Sequence, residues 1–170
     1  AKLMRLGLPV PSGFCIQAQA YRSHLEANDL VSLARSTIAQ SCQATLDEKR
    51  SLLATLRRSI VEARVSSSLR TEFEPACRSL GTTRVAVRSS GTAEDLPGHS
   101  FAGLYDTFLG EADSAACLQW VKQCWASLWT ERAFDYREKN RFDHLNADMA
   151  VIVQKLVPAD AAGVAFTADP

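Results

Sequence analysis

A chain of 170 residues that is 46% hydrophobic and 22% charged can bury a sizeable core and reads as one globular domain, or one and a half. Its 19 Lys plus Arg balance 19 Asp plus Glu, which argues against a general nucleic-acid or membrane-surface binder, since either would carry a basic excess. There is no run of about 18 apolar residues to span a bilayer, and no basic segment followed by an apolar block to mark a signal peptide.

In chain order, Ala1-Lys2 stands inside what reads as a helix already under way, with Leu3, Leu6 and Leu8 leading to Gly7 and the Pro9-Val10-Pro11 stop. Gly13-Phe14-Cys15-Ile16 reads as a short buried strand, and residues 18–27 and 29–41 as short helices. Over residues 46–64 a longer helix is expected, with Asp47 and Glu48 at its N-terminus and Leu53, Leu56 and Ile60 at helical spacing. Ser66-Ser67-Ser68 opens another, which Gly81 closes. Arg84-Val85-Ala86-Val87-Arg88 then alternates as a strand, and Tyr105–Leu109 forms a second one stopped by Gly110. Asp113 or Ser114 opens a long helix on which Leu118, Val121, Trp125 and Leu128 make one stripe, so its tryptophans read as core rather than as a stacking platform. A helix over 131–140 follows, and then two strands, 149–154 and 162–167, joined by Val157-Pro158-Ala159-Asp160. Helices followed by strand, loop, strand, helices and hairpin predict an α+β domain with an antiparallel sheet.

The five cysteines, Cys15, Cys42, Cys77, Cys117 and Cys124, are odd in number and form no CxxC pair. They read as free thiols of a reducing compartment, the cytoplasm, with Cys117 and Cys124 in core packing. His24, His99 and His144 lack metal-ligand spacing and read as structural or solvated. No Ser-His-carboxylate set can be assembled, and no GxxxxGK[ST] occurs.

Chemistry concentrates after the 84–88 strand. Gly91, Gly98 and Gly103, with Ser89, Ser90, Thr92, Ser100 and Thr107 around them, let backbone N–H groups and hydroxyls approach phosphate oxygens. An arginine fixed by a strand, Arg88, offers a forked and permanent cation to the same oxygens. A surface loop with Arg88 paired to Glu94 or Asp95 fits the spacing equally well. Gln154, at the end of the apolar run Met149–Val153, either pairs with the edge of a base or caps the strand end.

Three ordered motifs, GLPVPSGFCI, VAVRSSGTAEDLPGHSFAGLYDTFLG and MAVIVQKLVPADAAGVAFTADP, resemble the nucleotide-binding domain of phosphoenolpyruvate synthases, pyruvate phosphate dikinases and rifampin phosphotransferases. The resemblance spans nearly the whole chain. It implies an ATP-grasp-type fold, with residues 1–170 as the N-terminal lobe of the domain and a fragment of a longer multidomain enzyme. It places Arg88 on a phosphate-contacting, catalytic arginine, Gly103 and Thr107 on the loop along the triphosphate, and Gln154 on the adenine side. It also implies ATP as ligand, with Mg²⁺ held by groups outside this stretch.

By the same resemblance, ATP is split to AMP and phosphate while a histidine in another domain carries phosphate to an acceptor. The expected partners are therefore the nucleotide and the phosphohistidine and acceptor domains of the same polypeptide, with no nucleic acid or membrane. Pyruvate is the expected acceptor. An antibiotic of the rifampin type or a glucan is the alternative, as is a non-catalytic module that kept only the fold. The family's glycine-lysine motif does not appear, Lys2 is out of register with it, and no histidine matches the phosphohistidine motif. The 170-residue piece alone is expected to be inactive.

Overall fold

The computed structural model describes residues 2–91 and 105–163. In order these form α1 (Lys2–Arg5), β1 (Gly13–Ile16), α2 (Ala18–Ala27), α3 (Leu30–Ser41), α4 (Leu46–Glu62), α5 (Ser67–Ser79), β2 (Arg84–Gly91), β3 (Thr107–Glu111), α6 (Ser114–Ser127), α7 (Glu131–Lys139) and β4 (Met149–Lys155). The four strands make one antiparallel sheet in the order β1-β4-β2-β3. The α+β expectation therefore holds. The strand expected over 162–167 lies mostly outside the described residues, as do Gly98, His99 and Gly103.

Period-two alternation decides which face of the sheet is buried. Val85 and Val87 of β2, Met149, Val151 and Val153 of β4, and Ile16 of β1 point to one side and are buried there. Helix α6 covers that side with the stripe expected for it: Leu118, Val121, Trp125 and Leu128 are all buried, as are Cys117 and Cys124 between them. Helix α4 lays Leu53, Leu56 and Ile60 into the same core. Each such side chain removed from water contributes about 1.5–3 kcal/mol, so these aliphatic residues together offset much ordering entropy. Some of the polar groups drawn in with them find partners, while Trp125 Nε1 and His24 Nδ1 have none among the described residues. Trp129 Nε1 donates to Tyr21 Oη at 2.8 Å, and His24 Nε2 lies 3.0 Å from the Ile60 carbonyl.

Local signals set the helix boundaries. Thr45 caps α4 in a reciprocal box: its hydroxyl accepts from the Glu48 N–H while the Glu48 carboxylate accepts from the Thr45 N–H at 2.8 Å. Ser66, Asp113 and Thr130 cap α5, α6 and α7 in the simpler one-way form. Gly110 does not stop β3. It pairs with Val85 inside the strand, which runs on to Glu111, and it is glycine because a Cβ there would run into the Trp120 indole of α6. Strand β3 also begins two residues later than expected, and β2 continues past Arg88 to Gly91.

Candidate nucleotide-binding face

On the other side of the sheet Cys15, Arg88, Thr107 and Leu109 are exposed. Cross-strand register fixes which residues meet on it. One row runs Cys15, Ile152, Arg88, Thr107 from β1 across to β3, and the next runs Gly13, Gln154, Ala86, Leu109. Arg88 and Thr107 are direct partners, a relation that puts their Cβ atoms about 5 Å apart. Gln154 is paired with Ala86, two residues from Arg88, so it is the diagonal neighbour of Arg88 at about 7–8 Å. Three of the four residues singled out in the sequence thus share one open face. The fourth, Gly103, lies outside the described residues.

Each of the three is held differently. Arg88 is exposed and makes no ion pair among the described residues, while Glu94 and Asp95 lie outside them. Thr107 is likewise exposed at the first position of β3. Gln154 is half-buried and oriented: its side-chain amide donates to the Pro11 carbonyl at 3.0 Å, which turns its own carbonyl oxygen away from Pro11. It does not end its strand, since β4 runs on to Lys155, whose N–H donates to Ser12 O at 2.9 Å. Gly13 lets β1 come close at this point; a Cβ there would stand 2.7 Å from the Val153 carbonyl.

Ser89 and Ser90, both offered by the sequence as hydroxyl donors, separate. Ser90 pairs with Ala150 on the open face. Ser89 points to the helices, where its hydroxyl donates to the Asp106 carbonyl at 2.9 Å and so is committed within the fold. The same carbonyl is approached by Cys124 Sγ at 3.7 Å, and the Asp106 N–H donates to Ser127 Oγ at 3.4 Å. Behind them lies Arg137, which was not visible as a candidate in the sequence. Only 2% of it is exposed. It donates from Nη2 to Leu128 O at 2.6 Å and from Nε to His144 Nδ1 at 3.1 Å, and its Nη1 has no hydrogen-bond partner among the described residues. Burial holds its pKa below the ordinary arginine value. Burial, and then the Arg137 charge, hold His144 down to about 4, so its ring is the neutral acceptor this contact needs.

Cys15 also lies on the open face, and burial raises its thiol pKa. The five cysteines are all free, as expected. Among the described residues no three His, Cys, Asp or Glu side chains come together to hold a metal. No helix among the described residues is long and apolar enough to cross a membrane.

Among the described residues, an arginine without an ion pair, a threonine opposite it and an oriented glutamine share one sheet face, donor types that suit phosphate oxygens. Comparison with known proteins is more specific. The family described as the pyruvate phosphate dikinase AMP/ATP-binding domain matches residues 1–170, and the chain belongs to that family. Among its relatives is a rifampicin phosphotransferase of Streptomyces sviceus, 41% identical over 165 residues, which cover 96% of this chain and 19% of the relative. A probable phosphoenolpyruvate synthase of Methanocaldococcus jannaschii is 38% identical over 175 residues, covering 99% of this chain and 15% of the relative. The phosphoenolpyruvate synthase of Aeropyrum pernix is 38% identical over 176 residues, covering 99% of this chain and 22% of the relative. The chain thus spans about a fifth of the length of these curated relatives.

Proposed function

We propose that residues 1–170 are the N-terminal lobe of an ATP-grasp-type nucleotide-binding domain, working within a dikinase-type phosphotransferase whose phosphohistidine and acceptor domains belong to the same polypeptide. The observation that carries this reading is the shared open face of Arg88, Thr107 and Gln154 in a chain of the AMP/ATP-binding family. From Gln154 to Thr107 the face spans two strand spacings and two residues of rise, roughly 12 Å, comparable to the reach of a nucleotide from base to phosphates.

In this reading Arg88 neutralises phosphate charge and is the catalytic contribution of this lobe. Thr107 adds a hydroxyl beside it, Gly103 lies along the triphosphate, and the Gln154 carbonyl accepts from the adenine amino group. Phosphoryl transfer asks mainly for positioning and charge stabilisation, which suits a face that presents fixed donors. Mg²⁺, bound by groups outside the described residues, would supply further charge neutralisation when present.

The acceptor is chosen elsewhere in the protein. Pyruvate and a rifampicin-type antibiotic are both readings with a relative of matching name at similar identity, so on this chain neither outranks the other.

The test is ATP affinity of Arg88→Ala in the full-length protein. Losing a charge-assisted contact, about 1.5–3 kcal/mol, weakens ATP binding by about ten- to a hundredfold. Because Arg88 is exposed, the melting temperature stays near that of the wild type. Unchanged ATP affinity would refute the reading and favour a fold-only module.

A further inference from the structure

The formal charges of this chain balance, yet positive charge gathers at one place on the helix layer. Where the end of α4, the start of α5 and the first half of α6 meet, a cavity of about 390 Å³ is lined by Arg64, Arg70 and Lys122. Glu62 is the one carboxylate among its described lining residues. None of the three cations makes an ion pair among the described residues. Arg64 and Arg70 are exposed, Lys122 is half-buried, and Val65 and Leu118 supply an apolar floor.

The needs of the fold account for one of these charges and not for the other two. Lys122 Nζ donates at 3.4 Å to the carbonyl of Ala63, the residue that caps the C-terminus of α4, where a cation is favoured. Arg64 has its backbone fixed on both sides by Asn28, whose amide donates to Arg64 O at 3.1 Å and accepts from the Arg64 N–H at 3.3 Å. Its guanidinium stem therefore leaves from a set point. Arg70 is the fourth residue of α5, and no acidic side chain stands in that first turn. This is the end at which the helix dipole disfavours a cation. Burial, and then the Arg70 charge, hold Lys122 below the ordinary lysine pKa. The three cations thus crowd one another, and an anion among them would relieve the repulsion. Two forked guanidiniums and an ammonium suit a doubly charged oxyanion with several lone pairs better than a single carboxylate.

We propose that this cavity is a second anion site, for a small phosphorylated molecule: Arg64, Arg70 and Lys122 hold the phosphoryl group, and the organic part lies over Val65 and Leu118. The site is separate from the nucleotide face, which lies on the open side of the sheet while α6 packs on the other. It stands independently of the reading of Arg88, Thr107 and Gln154.

Hydrogen exchange followed by mass spectrometry reads this place locally in the full-length protein. The probes are inorganic phosphate and phenyl phosphate, with sodium chloride at matched ionic strength as control. At ten times its dissociation constant each phosphate slows exchange over residues 62–70 and 115–122 by about tenfold, and chloride does not. Phenyl phosphate acts at the lower concentration, and equal potency would overturn the role of the apolar floor. Arg70→Gln and Lys122→Met each weaken binding by about tenfold, whereas Arg88→Ala leaves it intact. Without phosphate, Arg70→Gln exchanges no faster than wild type over residues 62–70, because the crowding is relieved. Protection that chloride reproduces, that both variants keep, or that Arg88→Ala abolishes overturns the proposal. Faster exchange in phosphate-free Arg70→Gln overturns it as well, by making Arg70 a support of α5.

Discussion

Acid should destabilise this protein well before its carboxylates protonate, and His144 is the main reason. Its ring stacks on Phe134 with centroids 4.0 Å apart and accepts a hydrogen bond from the Arg137 guanidinium. Burial and that neighbouring charge lower its pKa from 6.5 to about 4. The unfolded chain therefore takes up the proton first. Stability is full above 6.5, falls as the pH drops, and stops falling for this group once the pH passes about 4. A gap of this size integrates to about 2 kcal/mol lost between about pH 7 and about pH 5. Partial solvent access reduces that to about 1–2 kcal/mol.

His24, also depressed by burial, adds to the loss in the same direction. Glu48, held below 4.5 by the Thr45 N–H, titrates beneath this window. The assay is urea unfolding at a series of pH values for wild type and His144→Asn, whose amide oxygen can replace Nδ1 as acceptor without titrating. The variant is less stable at neutral pH, having lost the ring stack, but its pH slope is shallower by about 1–2 kcal/mol over the window. Parallel slopes for the two proteins would refute the account.

Three further outcomes follow from single contacts. Gly110→Ala drives a Cβ into the Trp120 ring and lowers stability by about 1–3 kcal/mol in denaturant titration, whereas the same change in a simple strand terminus would be nearly silent. Thr45→Ala removes the hydroxyl half of the α4 capping box and costs about 1 kcal/mol, read as a shift of the unfolding midpoint. Gln154→Leu removes the oriented acceptor and narrows the preference for ATP over GTP in competition binding by about tenfold. An unaltered preference would take Gln154 out of base recognition.

The parts of the fold governed by short-range pattern were legible in the sequence. Helical spacing of Leu53, Leu56 and Ile60, and of Leu118, Val121, Trp125 and Leu128, gave both the helices and their buried faces. The alternation around Val85 and Val87 gave β2 and its inward side. What the sequence left hidden depends on partners far along the chain. Gly110 looks like a strand stop until Trp120 is seen above it. Arg137 sits among the charges of α7 and looks solvated, yet it is buried and its acceptors are Leu128 and His144. Gln154 could be read as a strand cap or a base reader. The bond to Pro11, 143 residues earlier, orients its amide, a constraint that no local window contains. The resemblance pointed to Arg88, Thr107 and Gln154 separately. Their common face emerges only from the register of three strands.

The strand order has a consequence for how such a sheet is assembled. Strand β1 is made first and lies at an edge, and its one hydrogen-bonded neighbour among the described strands is β4. Until residues 149–155 have been synthesised, the Gly13–Ile16 segment lacks its described partner strand, and β2 and β3 among the described strands form a hairpin. The last described strand is inserted between the first and the second, so the sheet closes through contacts of long sequence separation, which form slowly. Until β4 is made, the apolar inner sides of β1 and β2 must be shielded by the helices between them. Of all the strands, β4 is the one whose loss would split the sheet into an orphan strand and a ribbon.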